Sequence, residues 1–281
     1  MTDLLAWNAL IDRLRTKGAA MFSSCDLPLT EAGPREPGVV ALALLSRTIS
    51  TAEAAGLLLA NDMVVEARTL VRTIYENLFY AAALAKKRAA FVEELEFDDL
   101  HNRKARAGAL LEFGKAQAQK SDFVDKLQTF RDELDARPEK TFSIKFEQAA
   151  RAGNVLPAFV VYRELSTDAA HPSAESLSRH VIPCDEPDSA PFTVTGYPRL
   201  APTEPQDTAE LLASSMLGVL VAVGEVLGKV SGGESLVELS EAFMVLSVDN
   251  KAGREIGDRG TPVAVAASTP PSDQTLTRRK V

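Results

Sequence analysis

Apolar positions along this chain recur mainly at the three- and four-residue spacing of a helical face, and only one short run is strand-like. Leu4, Leu5, Leu10, Ile11 and Leu14 lie on one stripe and predict an amphipathic helix to about Ser23. Pro28–Pro37, with three prolines and a glycine, reads as a loop. Pro37 then suits the first turn of a long helix over about 38–60, VVALALLSRTISTAEAAGLLLA, which is apolar nearly all round. Asn61-Asp62 makes a tight turn before a second such helix over about 63–85. Helices that are apolar on every side belong in the middle of a bundle. We therefore expect these two to lie side by side at the centre, with remaining faces available to a homodimer or a protein partner.

The pattern changes after residue 85. A strongly charged helical region covers about 88–120, and further helices are predicted near 122–136, 143–152, 155–170 and 172–180. Val181–Pro205 holds six prolines and little periodicity, so it reads as an irregular excursion; Phe192–Val194 is its one β-like run and suggests a short hairpin. Helices near 204–231 and 234–248 close the domain. The expectation is an all-α multi-helix bundle in one domain, residues 1–249. A disordered tail is expected over 250–281, where Gly, Pro, Ser and Thr dominate.

Composition narrows the function classes. The chain is 46% hydrophobic and 25% charged, with a net charge of −8. The tail from residue 250 carries +3, leaving −11 on residues 1–249. So acidic a body is a poor general surface for nucleic acid or anionic membrane, although a local basic pocket would still take RNA or a nucleotide. Two distant cysteines, Cys25 and Cys184, form no disulfide framework or zinc pattern and fit a reducing cytoplasm. No signal peptide is read at the N-terminus, and the most apolar stretch, near 211–230, is interrupted by serines and charges. No membrane association is expected. Nor is a cofactor, since the chain has no glycine-rich phosphate loop and no Gly-x-Ser-x-Gly elbow.

Candidate chemistry gathers in two pieces. Arg68, Arg72 and Glu76 project within about 80° of one another on the second long helix. Set among Val65, Leu70, Val71, Ile74 and Leu78, they must be partly buried, and a buried charge needs a partner. Glu76 can pair with Arg72, leaving donors for a carbonyl or a ligand oxygen. The second piece is VYRELSTDAAHPS, residues 161–173. Pro172 pushes His171 out of helical geometry, so His171 is expected just past a helix end, as the N-cap of the next helix. His171 as acid–base group, with Arg163 or Arg72 holding a phosphate, would suit metal-independent cleavage of RNA. The structural alternative is a hinge and a salt bridge.

NDMVVEARTLVRTIYENLFYAAAL and VYRELSTDAAHPS resemble a bacterial helical family, domain of unknown function 5677, over roughly residues 38–230. Arg72, Tyr75, Glu76, Tyr162, Arg163, Leu165, Ser166 and His171 carry the resemblance. The family itself looks like a distant relative of the higher-eukaryote-and-prokaryote nucleotide-binding (HEPN-like) bundles, many of them metal-independent ribonucleases of toxin or phage-defence systems. The candidate catalytic residues are accordingly His171, Arg163 and Arg72, with Arg68, Glu76, Tyr75, Tyr162 and Ser166 in a binding or structural polar pocket. The ribonuclease signature sets four to six residues between Arg and His, whereas seven separate Arg163 from His171. The expectation is accordingly a binding or regulatory module, linked to defence or toxin–antitoxin systems, with the ribonuclease as alternative. A more remote reading uses the carboxylate-x-x-His pairs Asp98/His101 and Asp168/His171 as metal ligands, in the order of helical di-iron sites.

Overall fold

The computed structural model describes residues 4–27, 30–116, 122–136, 142–184, 192–228 and 234–258. Its architecture is all-α. The helices are α1 (Leu4–Ser23), α2 (Pro37–Leu59), α3 (Val64–Lys87), α4 (Ala89–Ala116), α5 (Asp122–Asp135), α6 (Phe146–Ala152), α7 (Leu156–Leu165), α8 (Ala174–Ser178), α9 (Glu204–Leu227) and α10 (Leu236–Asp258). Strands β1 (Val181–Pro183) and β2 (Phe192–Val194) pair antiparallel, with Ile182 opposite Thr193. This is the expected hairpin in the proline-rich excursion.

Local chemistry sets the boundaries. Pro37 occupies the first turn of α2, where its missing N–H is no loss. Asp62 takes φ 58° and turns the chain from α2 into α3. Arg88, at φ 54°, separates α3 from α4, and its guanidinium donates to the carbonyls of Glu225 and Val226, each at 2.7 Å. Those carbonyls end α9 and have no partner within their own helix. Asp98 of α4 accepts the backbone N–H of Ile144 at 2.8 Å, which fixes the approach to α6. There Gly153 meets α3 closely: a Cβ on it would stand 2.5 Å from the Cβ of Ala82. The alanine run Ala81–Ala85 is what allows the two backbones so near.

The centre differs from the expected pair. α3 is the axis, with buried residues on every side, among them Val71, Ile74, Tyr75, Leu78, Phe79 and Leu84. Its principal neighbour is α9, which buries Leu212, Ala213, Met216, Val219, Leu220 and Val223. α2 packs on both but buries one stripe, Ala41, Leu45, Thr48, Ala52, Ala55 and Leu59, while Leu57 is exposed. α2 is thus a flanking helix, and the faces of α3 are occupied within the fold rather than offered to a partner. By length and composition alone α2 and α9 could cross a bilayer; core helices of this kind pass the same test.

Several ends moved. α4 stops at Ala116, and residues 117–121 lie outside the described region. The helix expected over 155–170 changes to a π-helical turn at Ser166–Ala170. α10 runs to Asp258, past the boundary expected at 249; the rest of the expected tail, 259–281, lies outside the described residues.

Candidate functional site

α3 presents Arg68 and Arg72 toward the end of α7 and the π turn, and the two arginines enter different networks. Arg72 donates from Nε to Ser166 Oγ at 2.7 Å and from one terminal nitrogen to Tyr162 Oη at 2.9 Å. Its other terminal nitrogen lies 3.0 Å from Glu76 Oε1, one helical turn away. The guanidinium also sits 4.8 Å from the centre of the Tyr162 ring, in cation–π range, while Phe159 stacks on that ring at 5.6 Å. Tyr162 in turn donates to Glu76 at 3.4 Å, and Ser166 Oγ donates to the Tyr162 carbonyl at 2.7 Å. All three nitrogens and a face of Arg72 are therefore used inside the protein. Burial raises the Glu76 carboxyl above its ordinary range, against the opposing pull of Arg72, Tyr162 and Arg47.

Arg68 lies in a deeper cluster. It is 6% exposed and donates from Nε to Asp168 Oδ2 at 2.7 Å, Asp168 being 4% exposed. The other oxygen of Asp168 accepts from Arg179 Nε at 2.8 Å, and Arg179 continues as a fork to Glu204, at 3.0 and 2.5 Å. Glu204 opens α9, where its carboxylate also accepts the N–H of Ala201 at 3.0 Å. Arg179 reaches the carbonyl of Arg199 at 3.1 Å as well, so one side chain fastens both ends of the excursion to the core. Hydrogen bonding to Glu204, ahead of Asp168, raises the Arg179 pKa, with burial opposing. Two positive and two negative side chains thus satisfy one another, Arg68, Asp168 and Glu204 buried and Arg179 partly exposed at the edge, the condition for burying charge at tolerable cost.

The π turn connects the networks. It supplies Ser166 to the first and Asp168 to the second, and the carbonyl of Ala169 accepts Thr69 Oγ1 at 3.2 Å. His171 follows in extended geometry, as Pro172 requires. The N-cap of α8 is Ser173 and not His171: Ser173 Oγ accepts the N–H of Ser176 at 3.1 Å. The side chain of His171 is exposed, as is that of Arg163, and among the described residues neither makes a hydrogen bond or ion pair.

The expected site residues therefore separate into four groups, one of them the exposed Arg163 and His171. Arg72, Glu76, Tyr162 and Ser166 converge. Arg68 belongs with Asp168 and two residues that the sequence did not single out, Arg179 and Glu204. Tyr75 faces α9, where Ser214 meets its hydroxyl and burial pushes its pKa up to about 12.

The remote metal reading of Asp98, His101, Asp168 and His171 is corrected, because its ligands do not assemble. Asp98 holds the N–H of Ile144, and its other oxygen accepts from Asn102 at 2.9 Å. His101 sits half-buried in the middle of α4, one turn beyond Asp98, with no second carboxylate brought to the pair. Asp168 lies between two arginines, whose positive charge repels a cation, and His171 is out in solvent. Among the described residues no group of three His, Cys, Asp or Glu side chains is disposed to hold an ion. The carboxylate-x-x-His spacing of Asp98/His101 and Asp168/His171 is thus a coincidence of sequence: each carboxylate serves the fold instead.

Residues 38–190, just over half the chain, match a family of unknown function, DUF5677. The chain belongs to this family. No curated protein and no solved structure matches it. The DUF5677 region takes in α2 to α8 and β1, hence both arginines of α3, the π turn and Arg179; it stops short of α9, so Glu204 and the core contacts of that helix fall outside it.

Proposed function

We propose that the protein is a helical binding or regulatory module in which the Arg72 and Arg68 networks are structural. The observation that carries this reading is the engagement of Arg72: Ser166, Tyr162 and Glu76 each take an N–H, one on every nitrogen of its guanidinium. The two terminal N–H groups that remain lie on a largely buried guanidinium paired with the Glu76 carboxylate, so a phosphate approaching them would meet a negative charge already in place. A cytoplasmic location away from membranes and a setting in bacterial defence or toxin–antitoxin systems belong to the proposal; the first is supported by the free cysteines, the second by the family resemblance alone.

A metal-independent ribonuclease is the second reading, and one observation favours it. His171 and Arg163 stand exposed and unpaired among the described residues at the end of α7, where an RNA phosphate could meet them without disturbing the core. The test uses purified protein, end-labelled RNA and excess chelator. Wild type, His171→Ala and Arg163→Ala should leave the RNA equally intact. Cleavage by wild type that disappears in a folded His171→Ala protein would overturn the binding-module reading and establish the enzyme.

A further inference from the structure

α10 carries two apolar stripes on opposite sides. The inner one, Leu239, Phe243, Leu246 and Asn250, is used within the fold: Leu239 is fully buried, Phe243 meets Trp7 edge-on at 5.7 Å, and Asn250 donates to Glu210 at 2.6 Å. The outer one has the same four-three-four spacing at Val237, Glu241, Met244 and Val248, with Val245 beside it. Its apolar members are 66%, 57%, 59% and, for Val245, 61% exposed. Val237, Met244 and Val245, together with Val221 of α9, border an open groove of about 620 Å³. No requirement of the monomer accounts for a second stripe of this spacing, which is that of a helix–helix seam.

We infer that this stripe is the contact with a second copy of the chain, the two α10 helices packing antiparallel across a two-fold axis near Ala242–Phe243. Three features of the surface select this occupant. First, the seam needs a partner helix with apolar groups at the same spacing over about 16 Å. A second α10 supplies it, bringing Val237 against Val248 of the other copy and Glu241 against Met244. Second, the exposed apolar area is on the order of 400–500 Å² per chain, within the range of the largest patches on monomers. Two such patches together approach the ~1,000 Å² that a specific interface requires. Third, Glu238 and Glu241 lie in the first half of the helix, Glu234 just before it being paired with Arg13. Antiparallel pairing sets each acidic half against Val245–Val248 of the other copy, whereas parallel pairing would stack acid on acid. The two Glu241 carboxylates then flank the axis, fixing register at a cost in affinity, as a polar residue in a coiled-coil seam does. This inference is independent of the proposed function.

The test is sedimentation equilibrium of the full chain at micromolar to submillimolar concentration. Wild type should pass from one chain to two as concentration rises. Met244→Glu should weaken the dimer by ~30-fold or more, and Glu241→Leu should tighten it by ~10-fold, both with an unchanged melting temperature at concentrations low enough to hold the single chain. In a background of Cys25→Ser and Cys184→Ser, Val237→Cys and Val248→Cys proteins should form a disulfide when mixed and little when alone. A single-chain mass at every concentration, a dimer indifferent to Met244→Glu, or 237–237 cross-links would each overturn the inference.

Discussion

Asp168→Ala tests the buried charge cluster most severely. Asp168 is 4% exposed and accepts from Arg68 on one oxygen and Arg179 on the other. Removing it leaves Arg179 paired with Glu204 but strips Arg68 of its only close counter-ion. The next carboxylates, on Glu164 and Glu204, lie 3.9 Å from its nitrogens, and the first of these is largely in solvent. Breaking a buried pair from one side costs about 3–5 kcal/mol, because the surviving charge stays buried. In a domain of this size that corresponds to a fall of about 6–20 °C in melting temperature. Urea and thermal denaturation, followed by circular dichroism, measure both. The double replacement Arg68→Met with Asp168→Leu removes both charges, fills the space with apolar groups and should restore most of the loss. A loss below ~1 kcal/mol for Asp168→Ala would mean that water reaches the Arg68 guanidinium, and the cluster would then not hold the excursion to the core.

Further outcomes follow from the same contacts. The Glu76 carboxyl binds its proton more tightly in the folded protein than in the unfolded chain. Its contribution is therefore fully present below the ordinary carboxyl range and is lost as pH rises through the raised value. Relative to Glu76→Gln, wild-type stability should fall on going from acid toward neutral pH; a relative rise would show that the attraction of Arg72 outweighs burial. Gly153→Leu should cost about 1–3 kcal/mol or more, since even a Cβ there overlaps Ala82, and wild-type stability in the variant would refute that close approach. Arg88→Ala should cost about 1–2 kcal/mol by freeing two carbonyls at the end of α9, with faster hydrogen exchange confined to that end.

How much of this was legible in the sequence depends on the distance over which the information acts. Local signals held. Pro37 started α2, Asn61-Asp62 turned the chain, Pro172 expelled His171 from its helix, and the proline-rich segment carried a short strand pair. Burial was harder to read, because it depends on which partners arrive. α2 looks the more apolar of the first long pair, yet α3 takes the centre, since its alanines let α6 come close, Gly218 of α9 makes room for its Leu78, and its arginines find carboxylates. The Arg72–Glu76 pair was visible as a one-turn spacing. The Arg68–Asp168 pair joins residues 100 positions apart, and no periodicity reports such a contact. Arg179 and Glu204 gave no signal, since each lies beside the proline-rich excursion with nothing local to suggest a buried partner. The metal pattern failed for the converse reason: the one-turn spacing of Asp98 and His101 is real, but a site needs further ligands from other helices, and none arrives.

Taken together, these contacts change what the two quoted pieces of sequence say. NDMVVEARTLVRTIYENLFYAAAL supplies Arg68, Thr69, Arg72 and Glu76, and VYRELSTDAAHPS supplies Tyr162, Ser166, Asp168 and the carbonyl of Ala169. Four polar side chains of the first find partners in the second: Arg68 with Asp168, Thr69 with Ala169, Arg72 with Tyr162 and Ser166, and Glu76 with Tyr162. Such mutual satisfaction is what a buried polar seam needs in order to specify one register of two helices. A catalytic constellation would instead leave donors aimed at open space for a charge that develops in the reaction. Among the side chains of the second piece outside this pairing, Arg163 and His171 face solvent. Any activity of this surface must therefore be carried by them on the outside of the seam, and replacing them should cost the fold little.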